Sequence, residues 1–171
     1  MRPTIPSDHI DAGDQAGSAR LIEALKTCKV AGIGLHLSNG ETSFRHPSNS
    51  NPHFASIDVT GLSILPDSSK QPFYLYLLQT SPSDPCIVAL NEFLSSPTRK
   101  VCFNSQLCAR VLSYSHSKIV SAVEFSTLFD PKVASWVLNP DVEEKELLFK
   151  ELCFNILSTV DLPGSPTPFE S

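Results

Sequence analysis

The stretch Val30–Leu37, which reads VAGIGLHL, decides the fold of this chain. Its apolar side chains recur at every second position, as they do on one face of an extended strand: Ile33, Leu35 and Leu37. The positions between them form the other face: Gly32, Gly34 and His36. The alternation predicts a strand that carries a histidine on its less apolar face.

The segments on either side of this strand predict a helix before it and a hairpin after it. Residues 15–29 carry apolar side chains at helical spacing, and Asp14 is placed to cap that helix. A polar loop then leads to two more strand patterns, at 56–65 and 71–78. The turn residues Pro66-Asp67-Ser68-Ser69 join these two strands into a hairpin.

Helix and strand patterns alternate over the rest of the chain. Strands are expected at 100–103 and 119–125. Four helices are expected around them: one opened by Asp84-Pro85, one after Asn104, one opened by Asp130-Pro131 and one over 143–157. This order predicts an α/β fold with a mixed five-stranded sheet and helices on both faces.

The composition is that of an ordinary globular domain. Of 171 residues, 41% are hydrophobic and 18% are charged, which excludes general disorder. The net charge is −5, and Arg99-Lys100 is the only adjacent basic pair. Proteins that bind nucleic acid tightly concentrate basic residues on one face, so we do not expect this chain to bind nucleic acid tightly on its own. No apolar run approaches about 18 residues, and the sequence predicts an intracellular protein.

The cysteines predict buried, reduced thiols. There are five of them, and no two are spaced as a CxxC pair: Cys28, Cys86, Cys102, Cys108 and Cys153. An odd number of cysteines inside apolar segments indicates a reducing compartment. Because a zinc site needs clustered cysteine and histidine ligands, none is expected.

Residues 129–141, FDPKVASWVLNPD, resemble a stretch in the exonuclease-like domain of family A DNA polymerases. The resemblance is closest to the eukaryotic polymerase theta group, with the polymerase nu group as a near alternative. Val59–Ser63 and Phe73–Leu77 are similar to the second and third strands of that domain, and Val101–Asn104 to its fourth strand and the following helix start. The resemblance covers residues 17–158 and implies a ribonuclease-H-like 3′–5′ exonuclease fold.

The same resemblance implies that the catalytic carboxylates have been lost. Active relatives use carboxylates to hold two divalent metal ions that activate water. Their first motif, Asp-x-Glu, corresponds here to Gly34-Leu35-His36. In their second motif, Asn-x-x-x-Asp, Asn104 is kept but Cys108 replaces the aspartate. A third motif would lie on a late helix, where this chain becomes proline-rich after Thr159. We therefore expect no catalytic residue, no metal site and no cofactor.

Four side chains near these motifs have plain structural interpretations. His36 is expected to be half-buried and bonded to a backbone carbonyl. Asn104 and Asp130 are each expected to cap the helix that follows them. Trp136 is expected in the core, with the inward-facing neighbours Val133, Ala134, Val137 and Leu138.

The sequence thus predicts a degenerate exonuclease-like domain over 15–158, between a flexible N-terminal segment (1–14) and a proline-rich disordered tail (159–171). The resemblance implies a scaffold for a family A polymerase domain in the same or a partner chain. It also implies a nuclear role in DNA repair and DNA synthesis, with DNA reached through the parent protein. Two alternatives stay open: an active metal-dependent exonuclease that uses Asp58 or Glu124, and a stand-alone interaction module that kept the fold.

Overall fold

A computed structural model describes residues 5, 7–37, 59–78, 80–106, 108–109, 124–141, 143, 147–148 and 151–153. The chain divides after Asp130 into two compact units, Met1–Asp130 and Pro131–Ser171. Within the described ranges, no helix combines the length and the apolar character that crossing a bilayer requires.

The first unit alternates strands and helices. Its strands, in chain order, are β1 (Ile10–Asp11), β2 (Val30–Leu37), β3 (Val59–Pro66), β4 (Phe73–Tyr76), β5 (Arg99–Val101) and β6 (Leu128–Phe129). Among its described residues, the helices are α1 (Gln15–Thr27), α2 (Pro85–Ser95) and a short 3₁₀ helix (Phe125–Thr127) before β6. Residues 105–106 and 108–109, after Asn104, are helical as well, as predicted.

The strands form one mixed sheet in the order β1-β4-β3-β2-β5-β6. The pairs β2–β3 and β3–β4 are antiparallel, whereas β1–β4, β2–β5 and β5–β6 are parallel. In the central pair, Gly34 lies opposite Ser63 and His36 lies opposite Gly61. The register then shifts, so that Leu37 pairs with Val59. Such a bulge re-aims the side chains next to it.

The core lies on one face of this sheet. Alternate residues of the three long strands point to that face and are buried together with residues of both helices: Ala31, Leu35, Leu62, Ile64, Phe73, Leu75, Leu21, Leu25, Ile87, Leu90 and Phe93. The two helices begin at capped residues. Asp14 accepts from Gly17 N at 2.6 Å, and Asp84 accepts from Cys86 N at 2.8 Å, with Pro85 at the first helical position.

The predicted fold class is confirmed, but the described residues form a sheet of six strands rather than five. Ile10–Asp11, inside the predicted N-terminal segment, forms the edge strand β1. The prediction of a strand at 119–125 is wrong for its last residues. Phe125 begins the 3₁₀ helix, and the strand that pairs with β5 starts only at Leu128. Residues 119–123 lie outside the described residues.

The predicted cysteine environment is confirmed for the described residues. All five thiols are free, four are buried, and Cys153 is half-buried. Cys86 also joins the two helices, because its Sγ lies 3.0 Å from Ser18 Oγ of α1. Burial raises the pKa of Cys86, so this thiol is protonated and acts as a small packing group.

Lys100 is the one fully buried charged side chain among the described residues. Its Nζ donates to Ser96 O at 2.6 Å and to Thr127 Oγ1 at 2.9 Å, and it lies 5.2 Å from the centre of the Phe93 ring. Burial lowers the pKa of Lys100. The amine thus joins the end of α2 to the turn before β6.

The second unit contains helix α3 (Pro131–Leu138). The expectation that its apolar residues face inward is wrong, because Val133, Trp136, Val137 and Leu138 are all exposed. Trp136 is 52% exposed and Leu138 is 87% exposed. The helix expected over 143–157 is described only in part; Glu151–Cys153 is helical, and Leu147 and Leu152 are buried.

We predict that Gly17→Ala destabilises the protein. A Cβ at Gly17 would lie 1.9 Å from Asp11 O, a backbone atom of β1, so α1 and β1 would have to move apart. Overpacking of this kind costs about 1–3 kcal/mol, which exceeds the roughly 1 kcal/mol that alanine gains in a helix. Urea denaturation measures the difference. Gly34→Ala is the matched control, because its Cβ would meet Ser63 Cβ at 3.8 Å; equal stability of the two variants would contradict the prediction.

Candidate functional site

The face of the sheet opposite the core carries the polar residues of β2, β3 and β4. The pairing register places Gly34, His36, Ser63 and Tyr74 on this face, since each alternates with a core residue. Gly34 and His36 are the two positions that the sequence resemblance sets against the first carboxylate motif. We call this surface the polar face.

A chain of hydrogen bonds crosses the polar face. His36 Nε2 lies 2.5 Å from Ser63 Oγ, and His9 Nε2 reaches the same Ser63 Oγ at 2.6 Å. The other ring nitrogen of His9, Nδ1, lies 2.9 Å from Asp8 Oδ1. Four residues from three separate parts of the chain are thereby connected, and we call them the histidine chain: Asp8, His9, Ser63 and His36.

Aromatic contacts surround the histidine chain. Tyr74 meets His36 edge-on at 4.9 Å between ring centres, and His9 lies edge-on to both His36 and Tyr74, at 5.8 and 6.3 Å. Gly61 makes room for this arrangement, because a Cβ there would lie 2.6 Å from Tyr74 Oη. The glycine and the bulge beside it allow a buried tyrosine and two imidazole rings to share one small area.

The electrostatics of the polar face favour uncharged groups. Burial, and to a smaller extent the neighbouring His9, lower the pKa of His36. Burial raises the pKa of Tyr74, so the phenol stays protonated at neutral pH. At the exposed end of the histidine chain, the hydrogen bond from His9 is the main cause that lowers the pKa of the Asp8 carboxyl.

The second motif lies in the turn after β5. Asp130 holds this turn, because Oδ1 accepts from Asn104 N at 3.2 Å and Oδ2 accepts from Ser105 N at 2.7 Å. Asn104 adopts a left-handed conformation with φ 57°, and its carbonyl accepts from Cys108 N at 3.1 Å. The Cys108 side chain is buried and donates to Phe103 O at 3.4 Å.

Interaction with the neighbouring Cys108 thiol, together with burial, raises the pKa of Cys102, and interaction with Cys102 lowers the pKa of Cys108. Cys102 Sγ lies 3.8 Å from the same Phe103 O. At the position that the resemblance sets against a metal-binding aspartate, the chain therefore has a buried thiol, Cys108, and a second buried thiol, Cys102, contacts the same Phe103 carbonyl.

Three of the predicted side-chain environments differ in the structure. His36 is half-buried as expected, but the partner of its ring is the Ser63 hydroxyl rather than a backbone carbonyl. The helix that starts after Asn104 is capped by the side chain of Asp130, a residue distant in sequence, whose carboxylate accepts from the Asn104 and Ser105 amides. Trp136 is exposed and does not belong to the core.

Of the two acids considered for an alternative metal site, only Glu124 lies in the described part of the chain, and it does not join the polar face. Glu124 is exposed, lies outside any strand, and accepts from Ser126 N and Ser126 Oγ at 3.1 and 2.7 Å. Asp58 lies outside the described residues, as does the late helix of the third motif.

The donor atoms of the polar face do not fit a pair of magnesium ions. Hard divalent cations prefer several carboxylate oxygens. Here positions 36 and 108 supply an imidazole hydrogen-bonded to Ser63 and a buried thiol hydrogen-bonded to Phe103 O. Among the described residues, no three histidine, cysteine, aspartate or glutamate side chains come together in a way that would hold a metal ion.

Sequence reasoning missed three members of the histidine chain: Asp8, His9 and Ser63. Asp8 and His9 lie in the segment before the first helix, where no periodic pattern places them against the sheet. Ser63 alternates correctly on β3, yet a serine on the less apolar side of a strand is an ordinary surface residue. Only the edge pairing of β1 with β4 brings His9 across to them.

Comparisons with known proteins give matches in structure and none in sequence. No family model matches the chain, and no curated protein sequence matches it. Escherichia coli RNase D, an exoribonuclease involved in structured RNA processing, superposes with a TM-score of 0.57 at 12% identity. That match covers 92% of this chain and 35% of that protein.

Two further structures agree. The Aedes aegypti Nibbler EXO domain has a TM-score of 0.55 at 8% identity, with coverage of 84% of this chain and 62% of that one. Trypanosoma brucei RNase D in complex with RNA U12 has a TM-score of 0.52 at 12% identity, with coverage of 73% and 38%. The chain thus spans less than two thirds of each of these proteins. Identities this low establish architecture alone: the chain has the ribonuclease-H-like fold of 3′–5′ exonuclease domains.

Proposed function

We propose that this chain is a non-catalytic exonuclease-like domain of a polymerase-theta-like protein, where it acts as a scaffold for a family A polymerase domain. The observation that carries the proposal is which side chains stand at positions 36 and 108 and what they contact. His36 is hydrogen-bonded to Ser63 Oγ, and Cys108 is buried near Cys102 and donates to Phe103 O. Neither position offers the carboxylate oxygens that metal-assisted hydrolysis needs.

The polymerase assignment is supported by the stretch that resembles the family, 129–141. In the structure this stretch forms β6, Asp130 and helix α3. Asp130 holds the turn of the second motif, and α3 presents exposed apolar side chains that include Trp136 and Val137. Exposed apolar clusters on a helix are typical of protein–protein contacts. We therefore propose α3 as the surface on which the polymerase domain docks.

The chemistry of the whole surface fits a scaffold better than an independent nucleic-acid binder. The net charge is −5, and the buried Lys100 cannot contact a phosphate. DNA contacts would come from the polymerase domain, with repair and DNA synthesis in the nucleus as the setting of the assembled protein.

We predict that the purified chain does not shorten nucleic acids from the 3′ end. The assay uses 5′-labelled single-stranded DNA and RNA with Mg²⁺ or Mn²⁺, and its readout is the length of the labelled product. The RNA arm is included because the structural relatives include exoribonucleases. Turnover that is lost in Asp58→Ala or Glu124→Ala, and kept in the surface control Asp141→Ala, would overturn the assignment as non-catalytic.

We predict that the chain binds a purified family A polymerase domain from the same source through α3. Val137→Glu places a charge on the exposed apolar side of α3 and should weaken binding at least about tenfold, the effect of about 1.4 kcal/mol. Val88→Glu is the matched control, since Val88 is also an exposed valine on a helix, α2. Calorimetry measures both affinities. Absence of binding by the wild-type chain, or equal weakening by both variants, would contradict the docking proposal.

A further inference from the structure

Three side chains of the histidine chain are connected in the order carboxylate, imidazole, hydroxyl. Asp8 Oδ1 lies 2.9 Å from His9 Nδ1, and His9 Nε2 lies 2.6 Å from Ser63 Oγ. The two contacts use opposite nitrogens of one ring, and the His9 side chain is only 11% exposed, so the imidazole is held between the acid and the alcohol. This is the connectivity by which an imidazole, oriented by a carboxylate, activates a serine hydroxyl as a nucleophile, and it recurs on unrelated folds.

The bonding partners place the protons that such a reaction needs. An ionised carboxylate only accepts, so His9 Nδ1 donates to Asp8. In neutral His9, Nε2 is then the acceptor of the Ser63 hydroxyl proton. Once His9 has taken up that proton, both of its nitrogens are donors, and the one on Nδ1 still faces the Asp8 carboxylate. The histidine chain thus accommodates the imidazolium that forms when the serine oxygen reacts.

A second imidazole approaches the serine oxygen from β2. His36 Nε2 lies 2.5 Å from Ser63 Oγ, and while Ser63 donates to His9, this contact needs a proton on the His36 nitrogen. When Oγ is bonded to an acyl carbon, the carbonyl oxygen of that acyl group lies only two bonds from Oγ, within reach of the same N–H. His36 can therefore donate to the oxygen on which negative charge develops, which is the task of an oxyanion-hole donor.

The sheet leaves space beside Ser63 for a small acyl group. Ser63 lies opposite Gly34, and the next pair on the same face is Leu65 with Gly32. Among the described residues, and apart from its own chain neighbours, a Cβ at Gly34 would have only the Ser63 Cβ within 4 Å, at 3.8 Å. Leu65 is 44% exposed. The two glycines thus form a shallow floor from the hydroxyl to an exposed apolar side chain, which suits a short apolar acyl group.

We propose that Ser63 is a nucleophile that takes a short acyl group from an ester and passes it to water, with His9 as the general base and Asp8 as the residue that positions His9. The activity is acyl transfer at a serine and uses no metal ion. It is separate from nuclease chemistry and goes beyond the proposed scaffold role, which it leaves unchanged.

The reaction has two steps that balance. In the first, Ser63 Oγ forms a bond to the ester carbonyl carbon while its proton moves to His9 Nε2. The bond from that carbon to the alcohol oxygen then breaks, and the alcohol leaves with the proton from His9. In the second step, water attacks the acyl-serine and gives one proton to His9, and that proton returns to Ser63 Oγ as the acid leaves. The products are one alcohol, one carboxylic acid and the unchanged protein.

Trapping with methanesulfonyl fluoride tests the nucleophile in the full chain. This reagent sulfonylates serine hydroxyls that a neighbouring imidazole activates, and water releases the product only slowly. We expect one sulfonyl group per chain at about pH 7.5, located on Ser63 by mass spectrometry of peptides. Ser95→Ala should react like the wild type, because the Ser95 hydroxyl bonds only within α2. An unmodified Ser63 in the wild-type chain would overturn the proposal, and this outcome needs no variant.

Hydrolysis of p-nitrophenyl acetate tests the whole reaction. The kcat/KM of the wild-type chain should exceed that of Ser63→Ala at least about tenfold, whereas Ser95→Ala keeps the wild-type value. Far-UV circular dichroism checks that both variants are folded. Equal rates for the wild type and a folded Ser63→Ala would mean that other groups react with the ester, and would overturn the hydrolytic step.

The positioning role of Asp8 is tested through the rate of sulfonylation. Asp8→Asn removes the charge and keeps the size, and should slow the modification of Ser63 at least about tenfold, whereas Asp8→Glu should restore part of the rate. The final extent should stay at one group per chain in both variants, which a loss of structure around Ser63 would not allow. Asp141→Asn is the matched control, because Asp141 is an exposed aspartate of the second unit. Equal rates for Asp8→Asn and Asp141→Asn would overturn the role of Asp8.

Discussion

The antiparallel pairing of β2 with β3 is the constraint on which the rest of the structure depends. Because side chains alternate along both strands, one register fixes which residues enter the core and which lie on the polar face. Leu35 and Leu62 meet on the core side, whereas Gly34 and Ser63 meet on the other. A slip of one residue would bury His36 and expose the leucines, so the site and the core are determined together.

The polar face of this exonuclease-like fold has uncharged side chains at its centre: His36, Ser63 and Tyr74. Two acidic groups held close together need metal ions to offset their repulsion. At the positions that the resemblance sets against those acids, this chain has His36 and Cys108, which are hydrogen-bonded to Ser63 Oγ and to Phe103 O.

Side chains from distant parts of the chain form hydrogen bonds beside both motif positions. Asp130, at the end of the first unit, holds the turn that contains Asn104, and His9, before the first helix, reaches the centre of the sheet. In both cases a side chain that is distant in sequence forms the hydrogen bond: Asp130 with the backbone of the turn at Asn104, and His9 with the Ser63 hydroxyl. Such contacts explain why short edge strands such as β1 and β6 are formed at all.

The sequence by itself determined the central elements: the alternation in Val30–Leu37 specified a strand and its two faces, and the cap residues Asp14 and Asp84 specified two helix starts. These signals are local, because each depends on spacing along a single segment. The tertiary structure alone decided that Ile10–Asp11 is a strand, that α3 leaves Trp136 exposed, and that His9 bonds to Ser63. Edge pairing and side-chain contacts across a sheet depend on residues far apart in the chain, and no periodicity within one segment records them.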